Sequence, residues 1–256
     1  MSVVILFVLG TLVGSFLNVV GTRWGSGRTI LGRSSCPHCN KTLKWWELVP
    51  IFSFLIQKGR CRSCGKKISY QYPIIEIWTG LIFLSIYNLQ FTIYKEFNTL
   101  FIVHCALLLV VFSIYVVITI YDFHHKIIPD GLVYTSIFLS ILVPLFIIHY
   151  SLLDWLTGPI IFLFFAAIWL LSRGRAMGFG DAKLGLSIGL LLGAAQGLSA
   201  IILAFWIGAV YSLAYIFIKN DKGLTMKSEV PFAPFIIIGA WVSIVFHINL
   251  LHVATI

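Results

Sequence analysis

Two aspartates carry the most pointed chemistry in this sequence. Asp122 stands in "VVITIYDFHHKIIPD" and Asp181 in "MGFGDAKL", each where a long apolar run meets a short polar turn. The chain has nine acids, and most have an ordinary structural reading. Glu47 lies in a polar loop and Glu76 just inside the second apolar run. Glu96 and Asp154 lie at the opposite ends of apolar runs, and Asp221 and Glu229 in a late polar stretch. Asp130 follows a proline and reads as the N-cap of the next helix, as does Asp154 for its own helix. Asp122 has no such excuse, and Asp181 has only the alternative of capping the helix that follows it.

Ionisable groups at membrane helices are costly and mark function. Two carboxyl groups held close together cannot both ionise, so one keeps its proton and the other stays charged. The charged one activates a water and the protonated one polarises a peptide carbonyl. This is aspartic-protease chemistry, and it needs no metal. Gly178 and Gly180 would let the backbone adopt angles closed to other residues and let a substrate strand approach. Gly185, Gly189 and Gly193 recur at spacing four and clear one helix face for a neighbour, for which the helix end bearing Asp122 is a candidate. His124 and His125 read as interfacial polar residues.

A second constellation is "CPHC" with "CRSC", Cys36 and Cys39 followed by Cys61 and Cys64. Each Cys-x2-Cys knuckle puts two thiolates on one tight turn, and two knuckles complete a tetrahedral four-sulfur site with no open position. The reading is structural zinc. Ten basic residues between Arg23 and Lys67, against the single acid Glu47, suit a centre of net negative charge. His38 reads as solvent-facing and Cys105 as a core residue of a membrane helix. The stretch "WWELVPIFSFLIQKG", residues 45–59, would pack on the zinc site or lie in the membrane interface.

These groups need a scaffold, and composition names its solvent. Hydrophobic residues make up 59% of the 256 and charged residues 11%, about half the charge of a soluble domain. Such a chain has to be covered by lipid. The expected fold is all-α, a polytopic bundle of about eight transmembrane helices at 2–22, 74–94, 99–121, 131–149, 153–172, 182–195, 199–218 and 232–252. Gly158-Pro159 is a candidate bend, and "GAAQG" (193–197) breaks the run from Ala182 to Ile218. The domain reading is a first helix at 1–23, a cytoplasmic zinc loop at 24–73 and a bundle at 74–256. The first helix has no basic n-region or cleavage site and reads as a retained span.

Charge orients the chain. With the N-terminus outside, 17 of the 18 Lys and Arg residues fall in or beside inner loops, and only Lys95 lies outside. The net charge of +9 therefore needs no nucleic acid, because topology and anionic lipid explain it. Asp122 and Asp181 then share the inner face.

The chain resembles the type IV prepilin peptidases along nearly its whole length. The likeness rests on "GSFLNVVGTR" (14–23), the two cysteine knuckles and "GRCRSCGKKISYQYPIIEIWTG" (59–80). It continues through the aspartates around 122–130, "GFGDAKL" and "VPFAPFIIIGA" (230–240). The resemblance implies a bacterial cytoplasmic-membrane enzyme acting on the cytoplasmic face. It would cleave the leader of prepilins or pseudopilins between glycine and phenylalanine with Asp122 and Asp181. It would then methylate the new N-terminus from S-adenosylmethionine. The family usually has methionine where Phe179 stands. No G-x-G-x-x-G follows a strand, so the methyl donor would not sit in a Rossmann-type site. The resemblance assigns that activity to the first cytoplasmic loop, with Glu47 and Glu76 the acids to test. Each could instead pair with a nearby Lys or Arg. Two other readings use the same aspartates: a presenilin-like intramembrane protease and a cation- or proton-coupled transporter. The zinc loop, the absence of a "PAL" and the lack of internal repeats count against them.

Overall fold

The computed structural model describes residues 3–27, 29–96, 98–146, 150–218 and 230–252. The described residues are helical and form eight α-helices: α1 (Val3–Arg23), α2 (Phe52–Ile56), α3 (Gln71–Tyr94), α4 (Thr99–His125), α5 (Asp130–Leu142), α6 (Leu152–Ser172), α7 (Phe179–Ile218) and α8 (Ala233–Val245). Five of them, α1, α3, α4, α6 and α7, are long and apolar enough to cross a membrane. α5 with its 3-10 extension, and α8, are shorter apolar helices. The protein is a multi-pass membrane bundle.

The chain falls into two units, residues 1–97 and 98–256. In the first, α1 and α3 pack at the closeness glycine permits. A side chain at Gly10 would meet the Gly80 Cα at 2.7 Å, and one at Gly14 the Glu76 Cα at 3.0 Å. Small residues one turn apart let two membrane helices bring their backbones together. The polar loop 24–70 joins these two helices.

In the second unit α7 is the centre, packed by α5, α6 and α8. It is not one rod. Gly193 has φ 69° and ψ −170°, a region open essentially to glycine alone. A Cβ at Gly197 would lie 3.4 Å from the Gly189 Cα, whereas eight residues of straight helix span about 12 Å. The chain therefore doubles back at Gly193 into arms 179–192 and 194–218, and the expected break within "GAAQG" is real. With α7 counted as two arms and the two shorter apolar helices included, the described residues hold eight apolar helical segments; the helices of spanning length number five as the chain is assigned.

The ends of the two arms are satisfied from α6 and the turn before it. Tyr150 Oη donates to the Leu190 carbonyl at 2.7 Å, and Ala194 N–H donates to Asp154 Oδ1 at 2.8 Å. Asp154 is not the N-cap of α6. Ser151 is, accepting from Asp154 N–H, while Asp154 Oδ2 accepts from Ser151 N–H in a reciprocal box. Burial pushes the Tyr150 phenol well above its ordinary pKa, and the nearby Asp154 carboxylate adds to the rise.

Several sequence expectations are corrected. The glycine face of the first arm packs on α6, not on the Asp122 end of α4: a side chain at Gly189 would meet the Gly158 Cα at 2.6 Å, and one at Gly185 the Ile161 Cγ2 at 2.7 Å. α6 runs unbroken through Pro159, which sits in the helix beside that crossing. α8 ends at Val245 rather than 252, and the fourth helix ends at Leu142, giving way to a 3-10 turn. Asp221, Glu229 and most of the expected inner loop at 219–231 lie outside the described residues.

Candidate active site and cysteine centre

Asp122 lies in the last turn of α4. That helix ends because Lys126 takes the left-handed conformation, φ 55°, and its N–H closes on the Asp122 carbonyl at 2.8 Å. Asp181 lies in the first turn of α7, three residues after Gly178. Both carboxyl groups are buried, at 4% and 8% exposure. They are close enough to interact electrostatically.

Each is held by one backbone donor. Ala233 N–H, at the start of α8, bonds Asp122 Oδ2 at 3.2 Å, and Gly178 N–H bonds Asp181 Oδ2 at 3.2 Å. Among the described residues the Oδ1 atoms take no further hydrogen bond, and neither aspartate has a cationic partner. The cation nearest in sequence, Lys183, is engaged elsewhere, 2.6 Å from Asp130 Oδ1 and over the ring of Tyr134. Asp130 is therefore an ion-pair partner and not the cap of α5, whose N-cap, Pro129, lies just before it. A crevice of about 260 Å³ opens next to the residue that binds Asp122, lined by Phe205, Gly208, Phe232 and Phe235 among others.

The Gly178–Phe179–Gly180 stretch works differently from the sequence expectation. Neither glycine has a positive φ. Gly180 is needed for space: a Cβ there would lie 2.9 Å from the Ile128 Cβ. Gly178 leaves open the approach of its own N–H to Asp181. Asp181 thus also braces its helix start, alongside its place next to Asp122. Phe179 packs on Phe162 and Trp169.

The four cysteines come together in the first unit. The sulfurs of Cys36, Cys39, Cys61 and Cys64 all lie within 4.8 Å of one another. Cys36 and Cys64 are 3.8 Å apart, the edge of a tetrahedron with metal–sulfur bonds of about 2.3 Å. The two knuckles are copies. Cys36 N–H bonds the Lys41 carbonyl and Cys61 N–H the Lys66 carbonyl. Asn40 and Gly65 each return an N–H to the first cysteine of their knuckle. Both sit at left-handed φ, 55° and 68°. Bridges Ser35–Thr42 and Arg60–Lys67 close the turns. The backbone N–H groups of Cys64 and Ser63 pull the Cys61 thiol down to about 6. At Cys64 the Lys66 N–H pulls the same way, but desolvation and the neighbouring thiols push it up to about 11. This donor set fits a four-thiolate zinc ion. His38 is exposed, Cys105 is buried in α4, and His124 bonds the Ile120 carbonyl. None of these joins a metal-holding group among the described residues.

The two acids considered for methyl transfer are separated by their surroundings. Glu47 Oε2 accepts from Lys44 N–H at 2.9 Å, capping the short 3-10 turn Trp45–Glu47. Glu76 is buried in α3 and accepts from Ile51 N–H at 2.8 Å. Sequence reading missed Asn18. It donates to the carbonyls of Gly14 and Tyr72, one turn from Glu76 on the facing helix, and its Oδ1 is buried without a partner. A buried amide in an apolar helix was the available signal.

Comparison with known proteins agrees across the chain. The bacterial peptidase A24 N-terminal domain matches residues 8–90, and the type IV leader peptidase family matches residues 107–213. A relative in Bacillus subtilis (strain 168), named prepilin leader peptidase/N-methyltransferase, is 35% identical over 92% of this chain and 91% of its own length. Proteins of the same name are 33% identical in Myxococcus xanthus (strain DK1622), over 86% of this chain and 65% of that protein, and 28% identical in Stutzerimonas stutzeri, over 93% and 88%. No solved structure matches.

Proposed function

The chain belongs to the type IV leader peptidase family, and on that premise we propose that it removes the leader of prepilin-type substrates and then methylates the new N-terminus. The proteolytic step is assigned to Asp122 and Asp181. The observation that carries it is the pairing of two buried carboxyl groups with, among the described residues, no cation on either and one oxygen of each tied to a backbone N–H. Tying Oδ2 fixes the carboxyl planes and leaves Oδ1 of each for water and substrate. A carboxylate there takes a proton from water as that water attacks the scissile carbonyl. The partner carboxyl donates its proton to the carbonyl oxygen. Collapse of the tetrahedral intermediate returns a proton to the departing amine. The crevice beside Phe232 is suited to an apolar side chain flanking the scissile bond.

Lys183 matters by its engagement. A lysine free to pair with Asp181 would hold that carboxylate charged and bar it from shuttling a proton. The Asp130 carboxylate and the Tyr134 and Phe179 rings keep the ammonium occupied.

The four cysteines would hold zinc as a structural ion, fixing the loop between α1 and α3. The methyl group would come from S-adenosylmethionine, which supplies it as a sulfonium electrophile. Of this chain's acids, Glu76 is the better supported for holding that cation or the substrate ammonium, because the unpartnered Asn18 oxygen lies one turn away. Glu47 is committed to its cap. The orientation follows the charge pattern, with the N-terminus outside and both aspartates inside. The alternation of faces, though not its sense, is supported by the bond from Ala194 N–H to Asp154 Oδ1, which joins two ends assigned to one face.

Mass spectrometry of a prepilin incubated with the enzyme in lipid tests the whole scheme. The product should lose its leader and gain one methyl group. Asp122→Asn with Asp181→Asn should leave methylation of a pre-cleaved substrate intact. An aspartate-null enzyme that still cleaves would overturn the assignment.

A further inference from the structure

The loop between α1 and α3 does not simply rise away from the membrane. It leaves α1 at Arg23 and returns at Gln71, yet midway it dips back. Ile51 N–H bonds the carboxylate of Glu76, which lies five residues inside α3, about 7 Å along its axis. Ile51 thus sits at the depth of the second turn of a helix long and apolar enough to span. The turn there is strained. Ile51 has φ 61° and ψ −55°, and Phe52 N–H closes on the Pro50 carbonyl. This is the unfavoured γ-turn, on a β-branched residue that normally avoids positive φ. A bond to a buried acid pins it.

Either side of the pinned turn, large apolar side chains stand mostly exposed. Trp45 is 75% exposed, Phe52 and Leu55 64%, and Ile56 68%. Around them the loop is basic. Lys41, Lys44, Lys58, Arg60, Lys66 and Lys67 follow its course, and Lys44 Nζ lies 4.8 Å over the Trp46 ring. Tryptophan, bulky aliphatics and snorkelling lysines in one short segment are the chemistry of a lipid–water interface.

We propose that residues 45–56 are an interfacial element seated in an anionic bilayer, with the aromatic and aliphatic side chains among the upper acyl chains and the lysines and arginines on the headgroups. Two observations favour a bilayer over a protein partner. The loop is tethered at both ends to apolar helices, and its turn is hydrogen-bonded to a side chain on α3, a helix long and apolar enough to cross a membrane. The cysteine knuckles flank this element in the chain, at 36–39 and 61–64, and are thereby held at the membrane surface. The inference rests on the multi-pass reading alone, not on the peptidase assignment.

The full-length protein is reconstituted in nanodiscs of phosphatidylcholine and phosphatidylglycerol carrying a diazirine in the acyl chain. After photolysis, adducts are mapped by mass spectrometry. Adducts within 45–56, beside those on α1 and α3, are expected. The triple variant Phe52→Asp, Leu55→Asp, Ile56→Asp should lose them while keeping adducts on α1 and α3 and its bound metal. Adducts on α1 and α3 with none in 45–56 of the unaltered protein would overturn the proposal and leave a protein partner as the cover. Trypsin cleavage after Lys58 and Arg60 should speed up several-fold in discs of phosphatidylcholine alone. Equal rates in the two lipids would refute the anionic requirement. Because no peptidase substrate is present, neither result depends on the aspartates.

Discussion

The cysteine centre draws its four donors from two short turns that repeat one another, whereas the carboxyl pair draws one member from the end of α4 and the other from the start of α7, 59 positions later. The first site is locally encoded. Each knuckle sets its own sulfurs through hydrogen bonds within six residues, and a metal has only to join two finished halves. The second is globally encoded. Neither aspartate has a neighbour in sequence that defines its role, and their proximity depends on α4, α7 and α8 meeting correctly. Damage to the first should therefore be conformational and damage to the second chemical.

The largest effect expected is at the carboxyl pair. Asp122→Asn and Asp181→Asn should each lower prepilin cleavage by ~10³-fold or more, and the double variant should be scarcely worse, since the two act as one unit. The thermal transition should barely move. A variant that lost stability and activity together would erase the contrast. Next, Cys61→Ser or exhaustive chelation should strip the metal and open residues 24–70 to proteolysis. Structural zinc contributes about 10–16 kcal/mol of apparent binding energy in small peptide sites. The readouts are metal content and cleavage sites by mass spectrometry. Full zinc occupancy in Cys61→Ser would remove this site from consideration.

Gly189→Leu comes third. Its Cβ would lie 2.6 Å from the Gly158 Cα, so α6 and the first arm of α7 must separate. Overpacking of this kind costs about 1–3 kcal/mol, seen as a lower melting temperature in detergent. Gly131→Ala, with nothing within 4 Å, is the control and should not move it by more than the loss of backbone freedom allows. Smallest should be Asp130→Asn. Its side chain is 66% exposed, and such ion pairs contribute about 0–1 kcal/mol. Cleavage should stay near normal, because the Tyr134 and Phe179 rings still hold the Lys183 ammonium. A large loss would mean that the engagement of Lys183 is central to the chemistry.

The locally encoded half was legible before any coordinates, because a knuckle's spacing already implies its turn. The break in α7 was legible only as a region, because the run from Ala182 to Ile218 is too long for one helix and "GAAQG" interrupts it; Gly193 reads from sequence as part of the glycine face, and only the fold makes it the turn. What escaped the sequence was partnership. Asp130 looks like a cap because it follows a proline, but Lys183, 53 positions on, claims its carboxylate. Asp154 looks like a cap as well, and only the fold reveals that one oxygen serves Ser151 and the other Ala194. The glycine stripe on α7 predicted a close neighbour but not which one, since any helix with a small residue at the right height would have fitted. Phe179 and its flanking glycines suggested an open backbone, and the space proves to be filled by Ile128.

The reversal at Gly193 has a consequence for depth in the membrane. The first arm, residues 179–192, is about 21 Å long at 1.5 Å per residue, against a hydrocarbon thickness of roughly 30 Å. An arm clamped at one end by Tyr150 and Asp154 cannot slide to centre itself. The arm is itself largely buried, with Ala182, Leu184, Ile188 and Leu191 covered by protein, so it meets little lipid and its length is set inside the bundle. Its other end carries Asp181, which is therefore held short of a full span's reach from the clamped turn.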